Sequence, residues 1–81
     1  MKYRLIAAHP TKLGTVFIAQ TPDGRFHPLW RDESLGSYAH ARQAIEDVAG
    51  GHTFTPSDGT DLGSLGISDD PADWVDPRAS T

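Results

Sequence analysis

Cysteine is absent from the 81-residue chain, so neither a disulfide framework nor a zinc–thiolate site can be built from it. Also missing is any apolar run near the twenty or so residues needed to cross a bilayer. Residues 1–8 begin with the basic start of a signal peptide, but His9 and Pro10 end the apolar run before it becomes a hydrophobic region, so the segment reads as a strand. A soluble, cytoplasmic protein is the expectation. Length is short too: there is room for one domain, and a core of this size supplies roughly 3–5 kcal/mol when no disulfide, metal or partner helps. A homodimer or a bound partner would supply the rest.

Cations are scarce, and they are unevenly placed. The formal net charge is −4. Residues 1–45 hold Lys2, Arg4, Lys12, Arg25, Arg31 and Arg42 against Asp23, Asp32 and Glu33. Residues 46–81 hold Arg78 alone against Glu46, Asp47, Asp58, Asp61, Asp69, Asp70, Asp73 and Asp76. The acidic part either solvates the chain and lies against the basic part, or serves as an interaction surface.

Hydrophobic periodicity then gives the elements. Residues 3–8 form a first strand, with Leu5 and Ala7 on one face and Arg4 and Ile6 on the other. Residues 9–14 form a loop around Pro10 and Gly14. Residues 15–20 are β-branched and aromatic enough for a central strand buried on both faces. Thr21-Pro22-Asp23-Gly24 is the strongest turn signal, because proline presets one φ and Asp-Gly tolerates positive φ. Residues 25–31 make a third strand, with Phe26, Pro28 and Trp30 on one face, and Pro28 argues for an edge or a bulge. A short fourth strand fits residues 35–38. Ala41, Ala44, Ile45 and Val48 then follow helical spacing until Gly50-Gly51 stops the helix, with His40 or Ser37 as its cap.

From His52 onward Gly, Ser, Thr, Pro and Asp dominate, yet Phe54, Leu62, Leu65, Ile67 and Trp74 recur through the segment. Spacing of that kind predicts a strap anchored on the domain rather than a free tail. Ser68-Asp69-Asp70-Pro71 predicts one helical turn capped by serine and ending near Trp74. Residues after Asp76 are expected to fray.

No motif announces chemistry. The histidines His9, His27, His40 and His52 lack ligand spacing, and His52 reads as part of the turn that ends the helix. Asp58-Gly59-Thr60-Asp61 lacks the spacing and closing glutamate of a calcium loop. Gly63-Ser64-Leu65-Gly66 is no nucleophile elbow. Glu46-Asp47 and Asp69-Asp70 are adjacent pairs that diverge on a helix instead of forming an acid–base pair. Catalytic, cofactor and metal residues are therefore assigned to none of these positions.

Two resemblances are legible. Three strands followed by Leu35-Gly36-Ser37-Tyr38 and the helix with Ala41, Ala44 and Ile45 resemble the junction in plant AP2 domains and in the N-terminal arm-binding domains of phage integrases, over roughly residues 15–49. That resemblance implies a sheet that reads DNA. The second strand here carries no basic residue, however, and an acidic chain lacks phosphate-neutralising charge. The second resemblance is to small uncharacterised bacterial and phage-associated proteins with a Leu-Gly-Ser-Tyr step, then Gly-Gly-His-Thr and a terminal Leu-Gly-Ile…Asp…Trp. Here these are Leu35 to Tyr38, Gly50 to Thr53, and Leu65-Gly66-Ile67 with Asp73-Trp74. It implies one compact domain to which the C-terminal segment belongs, and no activity.

The sequence thus predicts an α+β domain: a three- to four-stranded antiparallel sheet with one α-helix on one face, and an irregular C-terminal segment wrapping back. Residues 1–51 are the core, 52–75 the packed acidic segment and 76–81 a disordered tail. Its expected role is non-catalytic binding of a protein partner, with Phe26, Trp30, Trp74, Asp69, Asp70 and Asp73 as contact residues. Sheet-mediated DNA binding and an acidic surface that mimics nucleic acid are the alternatives.

Overall fold

The computed structural model describes residues 2–79. Four antiparallel strands, β1 (Arg4–Thr11), β2 (Gly14–Gln20), β3 (Phe26–Trp30) and β4 (Glu33–Ser34), lie in the order β1-β2-β3-β4, followed by helix α1 (Ala41–Gly50). Three single 3-10 turns follow, at Leu62–Ser64, Pro71–Asp73 and Pro77–Ala79. The end of the expected frayed tail, residues 80–81, lies outside the described residues, as does Met1.

The first loop is shorter than the sequence suggests. β1 continues through His9 and Pro10 to Thr11, and Pro10 pairs with Thr15. Ala8 turns its own N–H and carbonyl outward, to Val75 at 2.8 and 2.9 Å. Alternation then aims the Pro10 nitrogen at the same outer edge, where its missing hydrogen costs the β1–β2 ladder nothing.

Pro28 is tolerated for a related reason. It stands opposite Ile18 in a regular register, without a bulge. Its carbonyl accepts from the Leu35 N–H at 2.8 Å, so its polar side faces away from β2.

The turn between β2 and β3 has Pro22 and Asp23 at its centre and Gly24 at φ 83°, closed by the Gly24 N–H on the Thr21 carbonyl at 2.9 Å. Only the glycine takes the left-handed conformation. The β3–β4 turn is different, because Arg31 (φ 51°) and Asp32 (φ 66°) both occupy that region, as a two-residue hairpin turn requires. Pairing therefore resumes at once with Trp30 opposite Glu33. The fourth strand accordingly falls at residues 33–34, before the expected 35–38, and Tyr38 contributes an isolated bridge to Phe26.

α1 starts after His40, which is extended and makes no side-chain cap bond, and ends at Gly51 in the left-handed conformation (φ 74°). The His52 N–H closes that end on the Asp47 carbonyl at 2.8 Å. A Cβ on Gly51 would stand 3.1 Å from the Cα of Gly63. The helix end and the first 3-10 turn therefore meet through bare backbone.

One face of the sheet makes the core. Val16, Ile18 and Trp30 meet Ala44, Ile45 and Val48 of the helix, and Leu35, Leu62, Ile67 and Trp74 complete the cluster. The C-terminal segment is held by specific bonds as well as by burial. Trp74 donates from Nε1 to the Ser68 carbonyl at 2.9 Å and meets the His9 ring edge-on with centroids 5.3 Å apart. The Ser68 N–H donates to His9 Nε2 at 3.2 Å. Nε2 is thus the acceptor nitrogen, and Nδ1 carries the hydrogen that reaches the Pro10 carbonyl at 2.9 Å. The helical turn before Trp74 is capped by Asp70, which accepts from the Ala72 N–H at 2.9 Å. Ser68, the cap suggested by the sequence, instead donates its hydroxyl to Asp73 at 2.6 Å. Among the described residues, no helix is long and apolar enough to cross a membrane.

Candidate interaction surface

Strand alternation fixes which side chains the second face of the sheet receives. Opposite the core positions Val16 and Ile18 stand Phe17 and Ala19, and their register partners carry the same face across the sheet. One row runs from Val75 through Ala8 and Phe17 to Leu29, and a second runs from Leu5 through Ala19 to His27. None of these residues belongs to the core cluster of the helix side. Ala8, Ala19 and Leu29 form a buried floor, Phe17 is half-buried, and Leu5 and Val75 stand out at 38% and 43% exposure.

A bulge puts Leu5 there. Leu5 pairs with Ala19 but Ala7 pairs with Ile18, so Ile6 is the additional residue and the register shifts. Simple alternation would have set Leu5 and Ala7 on one face; the inserted residue sends Ala7 toward the core and Leu5 to the open side. The bulge is not legible in the residue pattern, so the sequence does not mark Leu5 as a residue of this face. Nothing local marks Val75 as a strand residue either.

Exposure of large apolar side chains concentrates on this flank. Tyr3, Leu5, Leu13, Val75 and Phe54 are the most exposed among the described residues. All but Phe54 lie next to β1, on it, in the turn that ends it or bridged to its edge. Phe54 stands apart, on the loop whose N–H at that residue bonds the Leu35 carbonyl at 3.0 Å.

Two hollows flank the start of β1. One, of about 420 Å³, is lined by Lys2, Tyr3, Arg4 and Gln20 together with the turn that follows β2. The other, of about 320 Å³, lies between Arg4, Leu5 and Ile6 on one side and Asp76 and Arg78 on the other. At the corner of the same face a polar seam fixes the hairpin. The Thr21 hydroxyl donates to Asp23, and His27 reaches Thr21 Oγ1 at 3.1 Å and the Gly36 carbonyl at 2.9 Å. That hydroxyl bond, followed by the Arg25 N–H, holds the Asp23 carboxyl below the ordinary carboxylate range.

The residues expected to touch a partner fall elsewhere. Trp30 is 1% and Trp74 8% exposed, both inside the core cluster, and Phe26 is half-buried against it. Their rings stabilise the fold and have little surface left to offer. Asp69, Asp70 and Asp73 are exposed around the second 3-10 turn, where Asp70 and Asp73 are engaged as described above. The structure brings these acids together, but well apart in role from the three rings.

An electrostatic node at Asp58 is structural. Asp58 accepts from the Thr60 N–H at 2.9 Å, from Trp30 Nε1 at 3.0 Å and from Arg31 at 3.0 Å. Bonds from Thr60, then from the Trp30 indole, with the Arg31 charge beside them, lower its pKa to about 2. Arg31 also donates to the Leu13 carbonyl at 3.1 Å and lies over the Trp30 ring at 5.0 Å. It thereby ties the β1–β2 turn, the β3–β4 turn and the loop at residue 58 together, and these ties offset the cost of its left-handed backbone. Tyr38 meets the Asp47 carboxylate, and burial followed by that contact raises its pKa to about 12.

Fold and surface together define a small α+β domain whose helix covers one face of the sheet, while the other face has a buried floor and exposed Leu5 and Val75 at its edge. Comparison with protein-family models, with curated proteins and with solved structures finds no significant match for this chain.

Proposed function

We propose that the chain is a small non-catalytic protein-binding module that engages its partner through the open face of its sheet. The observation that carries this reading is the exposure of Leu5 and Val75 on the face of the half-buried Phe17, with Tyr3 and Leu13 exposed beyond the two ends of β1. A sheet is normally covered on each apolar face, and contiguous exposed apolar side chains with a polar surround are typical of contact surfaces. A cytoplasmic setting belongs to the same proposal.

The test is site-specific photocrosslinking in cells. A crosslinking amino acid at Leu5 or Val75 is expected to give one discrete protein adduct, whereas the same group at Arg42 or Glu46, exposed on the helix, gives none. Equal adducts from both sides, or adducts from the helix alone, would remove the open face as the contact surface.

A further inference from the structure

We infer that His9 is a proton-sensitive latch: its neutral imidazole fastens the C-terminal segment to β1, and taking up a proton releases that segment. This latch is independent of the contact face. Residues 67–75 form a small body held together largely by its own bonds. The Ser68 hydroxyl donates to Asp73 at 2.6 Å and accepts from the Asp70 N–H at 3.1 Å, Asp70 caps the 3-10 turn, and Trp74 Nε1 returns to the Ser68 carbonyl at 2.9 Å. Gly66 precedes the body in left-handed backbone, at φ 72°. Its hydrogen bonds to β1 fall at two neighbouring residues: Val75 bridges Ala8, and the Ser68 N–H reaches His9 Nε2 at 3.2 Å.

The Ser68 bond exists in one protonation state of the ring. Nδ1 carries its hydrogen toward the Pro10 carbonyl, so Nε2 keeps the lone pair that accepts from Ser68. A second proton goes to Nε2, and two N–H groups then point at each other. Turning the ring over restores nothing, because an imidazolium has no acceptor. The part-buried Ser68 N–H is left without a partner. Histidine is the side chain that changes charge between about pH 5 and 8.

The surroundings supply no charge that would hold a protonated ring in place. On β2 the partner of His9 is Val16, between Thr15 and Phe17, and on β1 its neighbours are Ala8 and Pro10, with Lys12 in the turn beyond. On the segment, Asp73 is held by the Ser68 hydroxyl and Asp70 by the Ala72 N–H, and Asp76 is paired with Arg78. Asp69 lines a hollow of about 500 Å³ together with Glu46 and His52 at the end of α1. Among the described residues no ion pair joins any of these carboxylates to His9. Release draws Ile67 and Trp74, 7% and 8% exposed, off the core and takes Val75 from the open face. It also bares the Ala8 N–H and carbonyl on the outer edge of β1, where another strand could pair.

The experiment follows amide exchange by NMR in the whole chain at about pH 7.5 and about pH 5.5, with each rate divided by its intrinsic value at that pH. Protection of the Ala8 and Val75 amides, which bond across the latch, should fall about tenfold at the lower pH, as expected when a buried donor loses its acceptor. Val48, within α1, should keep its protection. His9→Gln, whose side-chain carbonyl accepts without titrating, should keep Ala8 and Val75 protected at both pH values. His9→Leu should leave them equally weak at both, and His52→Gln should retain the full response. Unchanged protection of Ala8 and Val75 in the wild-type chain would overturn the inference, and that comparison needs no variant. A response that survives His9→Gln would assign it to another group, and a parallel fall at Val48 would make it global unfolding; either outcome removes the latch.

Discussion

The two faces of the sheet share the same strands, yet the helix closes one and leaves Leu5, Phe17 and Val75 partly in solvent on the other. On the helix side Val16, Ile18 and Trp30 are at most 1% exposed and meet α1, the first 3-10 turn and Trp74. On the other side Phe17 keeps part of its ring in solvent, and Leu5 and Val75 project beyond it. The difference does not come from hydrophobicity, since Phe17 and Ile18 are neighbours in one apolar run. It comes from supply: the chain contains one helix, and Leu62, Ile67 and Trp74 from the C-terminal segment all join that helix's side. The larger buried cluster is on one face, and the other retains exposed apolar surface at Leu5 and Val75.

The largest effect is expected from breaking the closed face. Trp30→Ala removes a ring that is buried between sheet and helix and that donates to Asp58 at 3.0 Å. A loss of about 3–5 kcal/mol is expected, comparable to all the stability a domain this small commands. Urea unfolding should find the variant largely unfolded without denaturant.

A smaller loss should follow from Gly51→Ala. The left-handed φ of 74° would cost alanine about 1 kcal/mol, and its Cβ would press on the Gly63 backbone at 3.1 Å. The melting temperature should fall, and amide exchange should rise first at the end of α1 and at residues 62–64.

The smallest effect concerns the node that joins the turns. The folded pKa of Asp58, lowered to about 2, lies below the value of about 3.9 expected unfolded. Its contribution is therefore complete above the unfolded value and is lost as pH falls through the folded one. Between pH 4 and 2 the indole N–H resonance of Trp30 should move in the native protein and stay flat in Asp58→Asn.

Much of the closed face was legible beforehand. The helix followed from Ala41, Ala44, Ile45 and Val48 with a glycine stop, and the hairpin from Thr21-Pro22-Asp23-Gly24, because both signals are local. Trp74 could be read as an anchor because a free tail has no use for large apolar groups. The open face was not legible, since it depends on pairing between distant segments. The bulge at Ile6 decides where Leu5 points, and the bridge from Ala8 to Val75 brings in a residue from the far end of the chain. The β3–β4 turn was missed for another reason: Arg31 and Asp32 are unusual occupants of left-handed backbone, and what holds Arg31 there lies at Asp58 and Leu13.

The central claim is most directly tested by unfolding Phe17→Ala and Ile18→Ala side by side. Adjacent in β2, they face opposite sides of the same sheet. Ile18→Ala is expected to cost about 2–5 kcal/mol, as full burial implies, and Phe17→Ala about 1 kcal/mol, because its ring is partly solvated already. Equal losses would show that the second face is as much a part of the core as the first, and would contradict the account.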